Sequence, residues 1–200
     1  METGEPTDRP SIPAPASATT PPAVPNAEPS AARAAFSWLR DLTLSIVIAI
    51  IIILFLYQPV RVEGTSMMPS LVNEERIFIN KFVYRFSDIQ RGDTVVFQFP
   101  RDTSKSYIKR VIGMPGDTVR VDHGAVIVNG GALDEPYVLP GNRDDTTYPE
   151  IKVEPDCYYV LGDHRNSSND SRNWGTVKRG FIYGKAVFVY WPLDRLGLLP

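Results

Sequence analysis

From Leu42 to Val60 no residue carries a charge, and Ile46 to Tyr57 is almost unbroken Ile, Val, Leu and Phe. Nineteen residues at ~1.5 Å rise span about 28 Å, close to the ~30 Å hydrocarbon core of a bilayer. A buried core helix of that length would keep a polar stripe, and this stretch has none, so the pattern predicts a membrane-spanning helix. A leader of about 40 residues and the exit Tyr57-Gln58-Pro59-Val60-Arg61 do not fit a cleavable signal peptide, which has a short basic leader and a small-x-small site. The expectation is a single uncleaved anchor, with residues 36–60 as juxtamembrane segment and span.

Beyond the anchor the period changes from helix to strand. Ile77-Phe78-Ile79, Asp93–Phe99, Tyr107–Ile112, Thr118–Val121, Ala125–Val128, Cys157–Leu161 and Ala186–Trp191 are short runs of β-type residues. Asp122-His123-Gly124 reads as a hairpin turn and Asn129-Gly130 as a second tight turn. No long 3.6-residue period and no internal repeat occurs here. Residues 61–200 therefore predict a mainly β domain of antiparallel sheets, a sandwich or distorted barrel, behind one N-terminal transmembrane helix. Residues 130–156, rich in Gly, Pro, Asp and Tyr, read as a long excursion with little regular structure.

Composition separates the two ends of the chain. Pro, Ala, Ser and Thr dominate residues 1–35, which hold no aromatic residue; such a segment buries too little apolar surface to offset its chain entropy and is expected to be disordered. Glu2, Glu5, Asp8, Glu28 and Asp41 against Arg9, Arg33 and Arg40 give −2, which is the net charge of the whole chain, so residues 42–200 balance to zero. No basic stripe is present, which argues against a nucleic-acid partner. One cysteine, Cys157, excludes an intrachain disulfide, and with only His123 and His164 there are too few ligands for a zinc cluster. Cys157 lies in an apolar run and is expected to be a buried structural thiol. Neither a metal nor a cofactor is expected. Arg33 and Arg40 before the span, and Arg61, Arg76 and Lys81 after it, leave the orientation undecided by charge.

Three polar features stand out. Ser66 lies in Gly64-Thr65-Ser66-Met67-Met68-Pro69-Ser70-Leu71, with no His or Cys nearby to act as its base. It is either a turn or helix cap, with Pro69 early in the turn, or a nucleophile activated by something other than histidine. Gly64 is either a plain loop glycine or a place where backbone approaches a ligand closely. Lys109 stands among apolar neighbours, and strand alternation sends Arg110 to the opposite face. It either snorkels to solvent or is buried and neutral, as a base requires; at pH 7 an ordinary lysine pays about 4.6 kcal/mol to be neutral, and burial offsets this. The third feature, Gly162–Gly175, is a dense polar loop in which Asp163 and Asp170 could pair Arg165 and Arg172. His164 admits a Ser-His-Asp reading, but no elbow or strand context of such triads accompanies it.

Taken in order, the anchor, Gly64–Leu71 with its Ser-Met-x-Pro, Arg91–Phe97, Tyr107–Asp117 and Gly162–Gly175 resemble the type I signal peptidases, a family of serine–lysine dyad proteases. The resemblance covers most of residues 42–191. It implies that Ser66 is the nucleophile and Lys109 the general base. The Ser66 N–H and the Gly64 backbone would serve the oxyanion, and Ser168 would orient the lysine. Asp163, Arg165, Asp170 and Arg172 would hold the loop, while Val62, Met67, Leu71, Tyr107 and Ile108 would line pockets for small side chains at substrate positions −1 and −3. Glycine at 64 stands where some members carry a hydroxyl, and His164 where asparagine is usual. The implied activity is removal of signal peptides from secretory preproteins after Ala-x-Ala, at the bilayer and alongside the secretion machinery. The implied topology has residues 1–35 in the cytoplasm and residues 61–200 outside the cytoplasmic membrane as the catalytic domain. A related pilus-maturation or self-cleaving protease, or an inactive anchored β-module, would share parts of this pattern.

Overall fold

The computed structural model describes residues 31–199, with the side chains of residues 31–34 and 54–56 left aside. Of the tail expected to be disordered, residues 1–30 lie outside them, and residues 31–35 instead open the first helix. The described residues fall into two compact units divided after Leu44, within the first helix.

Helix α1 runs Ala31–Leu56. Its segment Ala35–Ile53 has a mean hydropathy of 2.0 over 19 residues. Every described side chain from Ala35 to Ile53 is exposed except the half-buried Ser37. Arg40 and Asp41, the charges in that segment, pair with each other at 2.8 Å. An apolar helix this long, without a protein cover, fits a transmembrane span.

The helix stops earlier than the apolar run does. Tyr57–Arg61 forms strand β1, paired antiparallel with β2 (Arg76–Asn80). Pro59 explains the change: it lacks the N–H that a helix interior needs but is tolerated on an edge strand, and β1 is an edge. The remaining strands are β3 (Thr94–Phe99), β4 (Asp102–Gly113), β5 (Thr118–Asp122), β6 (Ala125–Val128), β7 (Gly131–Ala132) and β8 (Tyr148–Lys152). They continue as β9 (Cys157–Leu161), β10 (Val177–Lys178), β11 (Ile182–Trp191) and β12 (Gly197–Leu198).

These strands make two antiparallel sheets. The larger runs β1-β2-β11-β3-β4-β9-β10, with β12 on β11; the smaller runs β7-β6-β5-β8. Neither closes into a barrel. In the larger sheet β11, the last long strand, lies between β2 and β3. The expected turns appear where the sequence marks them: His123 and Gly124 (φ 46° and 76°) join β5 to β6, and Asn129 and Gly130 (φ 53° and 82°) join β6 to β7. Both-positive φ is the two-residue turn whose twist suits a hairpin. Residues 130–156 hold more order than their composition suggests, because β8 pairs β5.

Both faces of the larger sheet are apolar, which is why several strands read as continuous rather than alternating runs. Val96 packs with Val62, Met67, Leu71, Ile77 and Ile79 on one side, and Val95 and Phe97 pack with Val111, Val160 and Ile182 on the other. All five residues of β9 are buried, Cys157 among them as a free thiol. Ile112, Val119, Val121, Tyr159 and Leu161 form a third cluster joining the two sheets.

Candidate active site

Ser66 is carried by the loop between β1 and β2. The loop is pinched at its base, where Val62 N–H donates to Glu75 O (2.7 Å) and Glu74 N–H to Val62 O (2.9 Å). Val62, Met67 and Leu71 are buried and tether it to the core. Between them the chain turns without forming a helix, and Gly64 takes φ +92°, a conformation that favours glycine. Ser66 is therefore not a helix cap.

Its hydroxyl meets Lys109. Lys109 lies on β4 opposite Val95 and is 4% exposed. Its Nζ is 2.6 Å from Ser66 Oγ and also donates to Ile108 O at 3.0 Å. The Tyr107 ring walls it at 5.4 Å from the centroid. Burial pulls the lysine pKa down to about 8; the carboxylates of Asp170 and Asp163 work against this, and Arg172 works with it. A buried, easily neutralised amine hydrogen-bonded to a hydroxyl is a base poised to take its proton. Arg110, next in sequence, turns to Asp163 through Nε (2.9 Å) and Nη2 (2.7 Å) and stacks over Tyr137 at 4.1 Å.

The polar loop closes over the Ser66 backbone. His164 N–H donates to Ser66 O at 3.0 Å, and His164 Nδ1 lies 3.2 Å from Thr65 O. Gly162 has no room for a side chain: a Cβ there would overlap Ser66 O and the Ser168 hydroxyl. Ser168 Oγ is buried and makes no hydrogen bond, an orphan hydroxyl that, with the Ser66 carbonyl, borders the space over Gly162.

Pairing within this loop differs from the expectation in one respect. Arg172 does pair Asp170, through Nε and Nη2 (both 2.8 Å). Asp163 instead takes Arg110 and the Ser70 hydroxyl (2.5 Å), and Arg165 pairs bidentately with Glu135, 2.9 Å at Nη1. Asp144 joins Arg172 at 2.8 Å. The partners come from β4 and from residues 130–156, so both faces of the loop are cross-linked to distant chain.

A cleft of about 280 Å³ opens beside Ser66 and Lys109. Val62, Met67, Tyr107 and Ile108 line it, with Val60, Val96 and Tyr183 completing the apolar wall and Arg61, Glu63, Ser106 and Asn169 the polar one. Leu71 does not; it is fully buried in the core behind the loop. Gly64 lines the cleft, but its N–H is already donated to Asn73 Oδ1 at 2.8 Å. What it could offer an oxyanion is therefore space and backbone shape, not a donor. Val60 and Tyr183 carried no sequence signal: one is hidden in the apolar run, the other reaches the cleft only because β11 inserts into the sheet.

Comparison with known proteins now decides the family. The signal peptidase, peptidase S26, family matches residues 35–191, a span holding the apolar helix, the Ser66 loop, Lys109 and the polar loop. The chain belongs to this family. Signal peptidase I of Leptolyngbya laminosa is 39% identical over 90% of this chain and 92% of its own length. A probable signal peptidase I-2 of Synechocystis is 41% identical over 82% and 78%. Signal peptidase I P of Bacillus subtilis subsp. natto is 36% identical over 80% and 90%. A solved signal peptidase I from Enterococcus faecalis is 31% identical, covering 50% of this chain and 97% of that one, with a TM-score of 0.43. The protein is thus a serine endopeptidase of the signal peptidase I group, a hydrolase with one N-terminal apolar helix.

Proposed function

We propose that the protein is a membrane-bound peptidase that removes N-terminal signal peptides from exported preproteins, cutting after small residues of the Ala-x-Ala type. Ser66 is the nucleophile and neutral Lys109 the general base. The observation that carries this reading is the 2.6 Å contact between Ser66 Oγ and the buried Lys109 amine in a cleft with one apolar wall. Lys109 accepts the hydroxyl proton as Oγ bonds to the carbonyl carbon of residue −1. The resulting ammonium returns that proton to the leaving amine as the peptide bond breaks. The neutral Lys109 amine then deprotonates the water that attacks the acyl carbon, and passes that proton back to Ser66 Oγ as the acyl–oxygen bond breaks. The Ser66 N–H serves the oxyanion, Gly64 leaves space for it, and the orphan Ser168 hydroxyl orients Lys109. Asp163, Arg165, Asp170 and Arg172 keep the loop rigid.

Helix α1 holds this site at the bilayer, with residues 1–35 in the cytoplasm and residues 61–200 outside the cytoplasmic membrane, where preproteins emerge beside the secretion machinery. Val62, Met67 and Ile108 line the cleft, and on this reading their side chains would accept a small residue at −1 and exclude a large one. With purified full-length protein in detergent, changing the preprotein's −1 Ala to Leu should lower kcat/KM by about 100-fold or more. Equal cleavage of both substrates would overturn the proposed specificity.

The base also sets a pH dependence. Lys109 must be neutral to act, and its pKa is about 8, so kcat/KM should rise with pH through an acidic limb near 8. At pH 6 only about one amine in a hundred is neutral, so activity there should be about 100-fold below the plateau. His164→Asn should leave the limb in place. A limb appearing only above about pH 10 would mean an ordinary, solvated lysine.

A further inference from the structure

The loop that carries Ser66 has no sheet or helix ladder, yet its carbonyls are held one after another, most of them from outside the loop. Those of Thr65 and Ser66 are held by His164 and that of Met67 by Leu71 N–H (2.9 Å). The next two are held by residues with no other part in the site. Asn142 Nδ2 donates to Met68 O at 3.1 Å, and Arg195 Nη2 donates to Pro69 O at 2.9 Å.

Both props are themselves braced. Asn142 ends the short turn Pro140–Asn142, whose Gly141 carbonyl accepts from Asn166 Nδ2 at 3.0 Å. That ties it to the same polar loop that carries Gly162 and His164. Arg195 sits in the turn Leu193–Arg195, and its Nε donates to Glu75 Oε1 at 2.8 Å. The Glu75 carboxylate is buried, and its other oxygen accepts from Val72 N–H at 2.9 Å. One guanidinium therefore spans from Pro69, three residues past the nucleophile, to the far end of the loop. Leu199, from the same terminal segment, packs against the core cluster that holds Met67 and Leu71.

We infer that Asn142 and Arg195 are positioning residues for the nucleophile: by fixing the Met68 and Pro69 carbonyls they hold Ser66 Oγ against the Lys109 amine. The inference rests on the Ser66–Lys109 reading. Neither side chain lines the cleft, so losing either leaves substrate contacts in place and disturbs the alignment of the reacting atoms. Displacements of about 1 Å at such a point cost about 100-fold in rate.

The test uses the full-length protein, a preprotein substrate, and Asn142→Ala, Arg195→Ala and Arg195→Lys, with Ser66→Ala as control. Asn142→Ala and Arg195→Ala are each expected to lower kcat by about 10- to 100-fold, with KM within about twofold and the acidic limb of the pH profile unmoved. Arg195→Lys, which keeps a cation for Glu75, should recover part of the loss. If Arg195→Ala alone does not fold, Arg195→Ala combined with Glu75→Gln removes the stranded carboxylate and is expected to show the same kcat defect. Variants that melt earlier yet keep parental kcat below their melting temperature, or that raise KM and spare kcat, overturn the inference. An inactive Ser66→Ala beside fully active Asn142→Ala and Arg195→Ala would defeat this inference alone, whereas an active Ser66→Ala would defeat the dyad reading itself.

Discussion

Replacing Ser66 by Ala, or Lys109 by Ala, Met or Arg, is expected to lower preprotein cleavage by about 10⁴-fold or more, each alone doing nearly as much as any pair. On the proposed mechanism the two groups act as one unit, so removing either would leave only the binding and oxyanion contributions. Arginine fails for a separate reason: it is not deprotonated at any workable pH and cannot accept the serine proton. Lys109→Met separates chemistry from folding. The lysine pKa is lowered in the folded state, so the unfolded chain binds more protons between pH about 8 and the ordinary lysine value near 10.5. Across that window stability rises with pH, and below about 8 the full cost of burying the ammonium is felt. A methionine of similar length carries no such cost. Lys109→Met should therefore be inactive at pH 7 while melting no lower than the parent, measured by thermal denaturation beside single-turnover cleavage. Substantial cleavage by any of the four variants would remove the dyad from the mechanism.

Gly162→Ala is expected to lower kcat by about 100-fold or more while leaving the circular dichroism spectrum unchanged. Gly162 does not adopt a left-handed conformation; what it supplies is space. A methyl group there would lie 2.6 Å from Ser168 Cβ and collide with the Ser66 carbonyl. The backbone of Gly162 cannot retreat easily, because its N–H donates to the buried Asp170 (3.1 Å) and its carbonyl accepts from Arg165 Nε (2.9 Å). The Ser66 loop must give way instead, and Ser66 Oγ moves with it. A variant with parental kcat would show that the loop absorbs a methyl group without disturbing the serine.

What could be read from the sequence follows the range of the forces involved. The apolar helix, the two hairpin turns and most strands are local patterns, visible in windows of five to twenty residues. Ser66, Lys109 and the polar loop stand in short motifs, and the structure brings Ser66 and Lys109 into contact and sets the loop against the Ser66 backbone. The carboxylates that pair Arg165 and Arg172 from outside the loop, Glu135 and Asp144, were not legible. They lie in residues 130–156, whose composition reads as loose chain, and only the fold shows that these acids reach the site. Strand β1 was masked for a different reason: Tyr57–Arg61 extends an apolar run, and hydropathy does not distinguish the last turn of a span from the first strand of a domain. Leu71 was misplaced because a loop leucine beside a nucleophile can face either the cleft or the core, and pattern alone does not say which.

The position of β11 bears on when a newly made chain can begin to cut. The Ser66 loop hangs between β1 and β2, and Lys109 stands on β4. These two parts of the sheet are not bonded to each other; β11, spanning Ile182–Trp191, joins them by pairing β2 on one side and β3 on the other. A ribosome delivers Ser66 and Lys109 long before it delivers β11, and contacts of such long sequence separation are the slow ones to form. Until about residue 191 has emerged, the strand that bonds these two parts of the sheet is missing. On the proposed mechanism, a chain still short of β11 would carry a serine without its base, and its own exposed segments would pass through synthesis uncut.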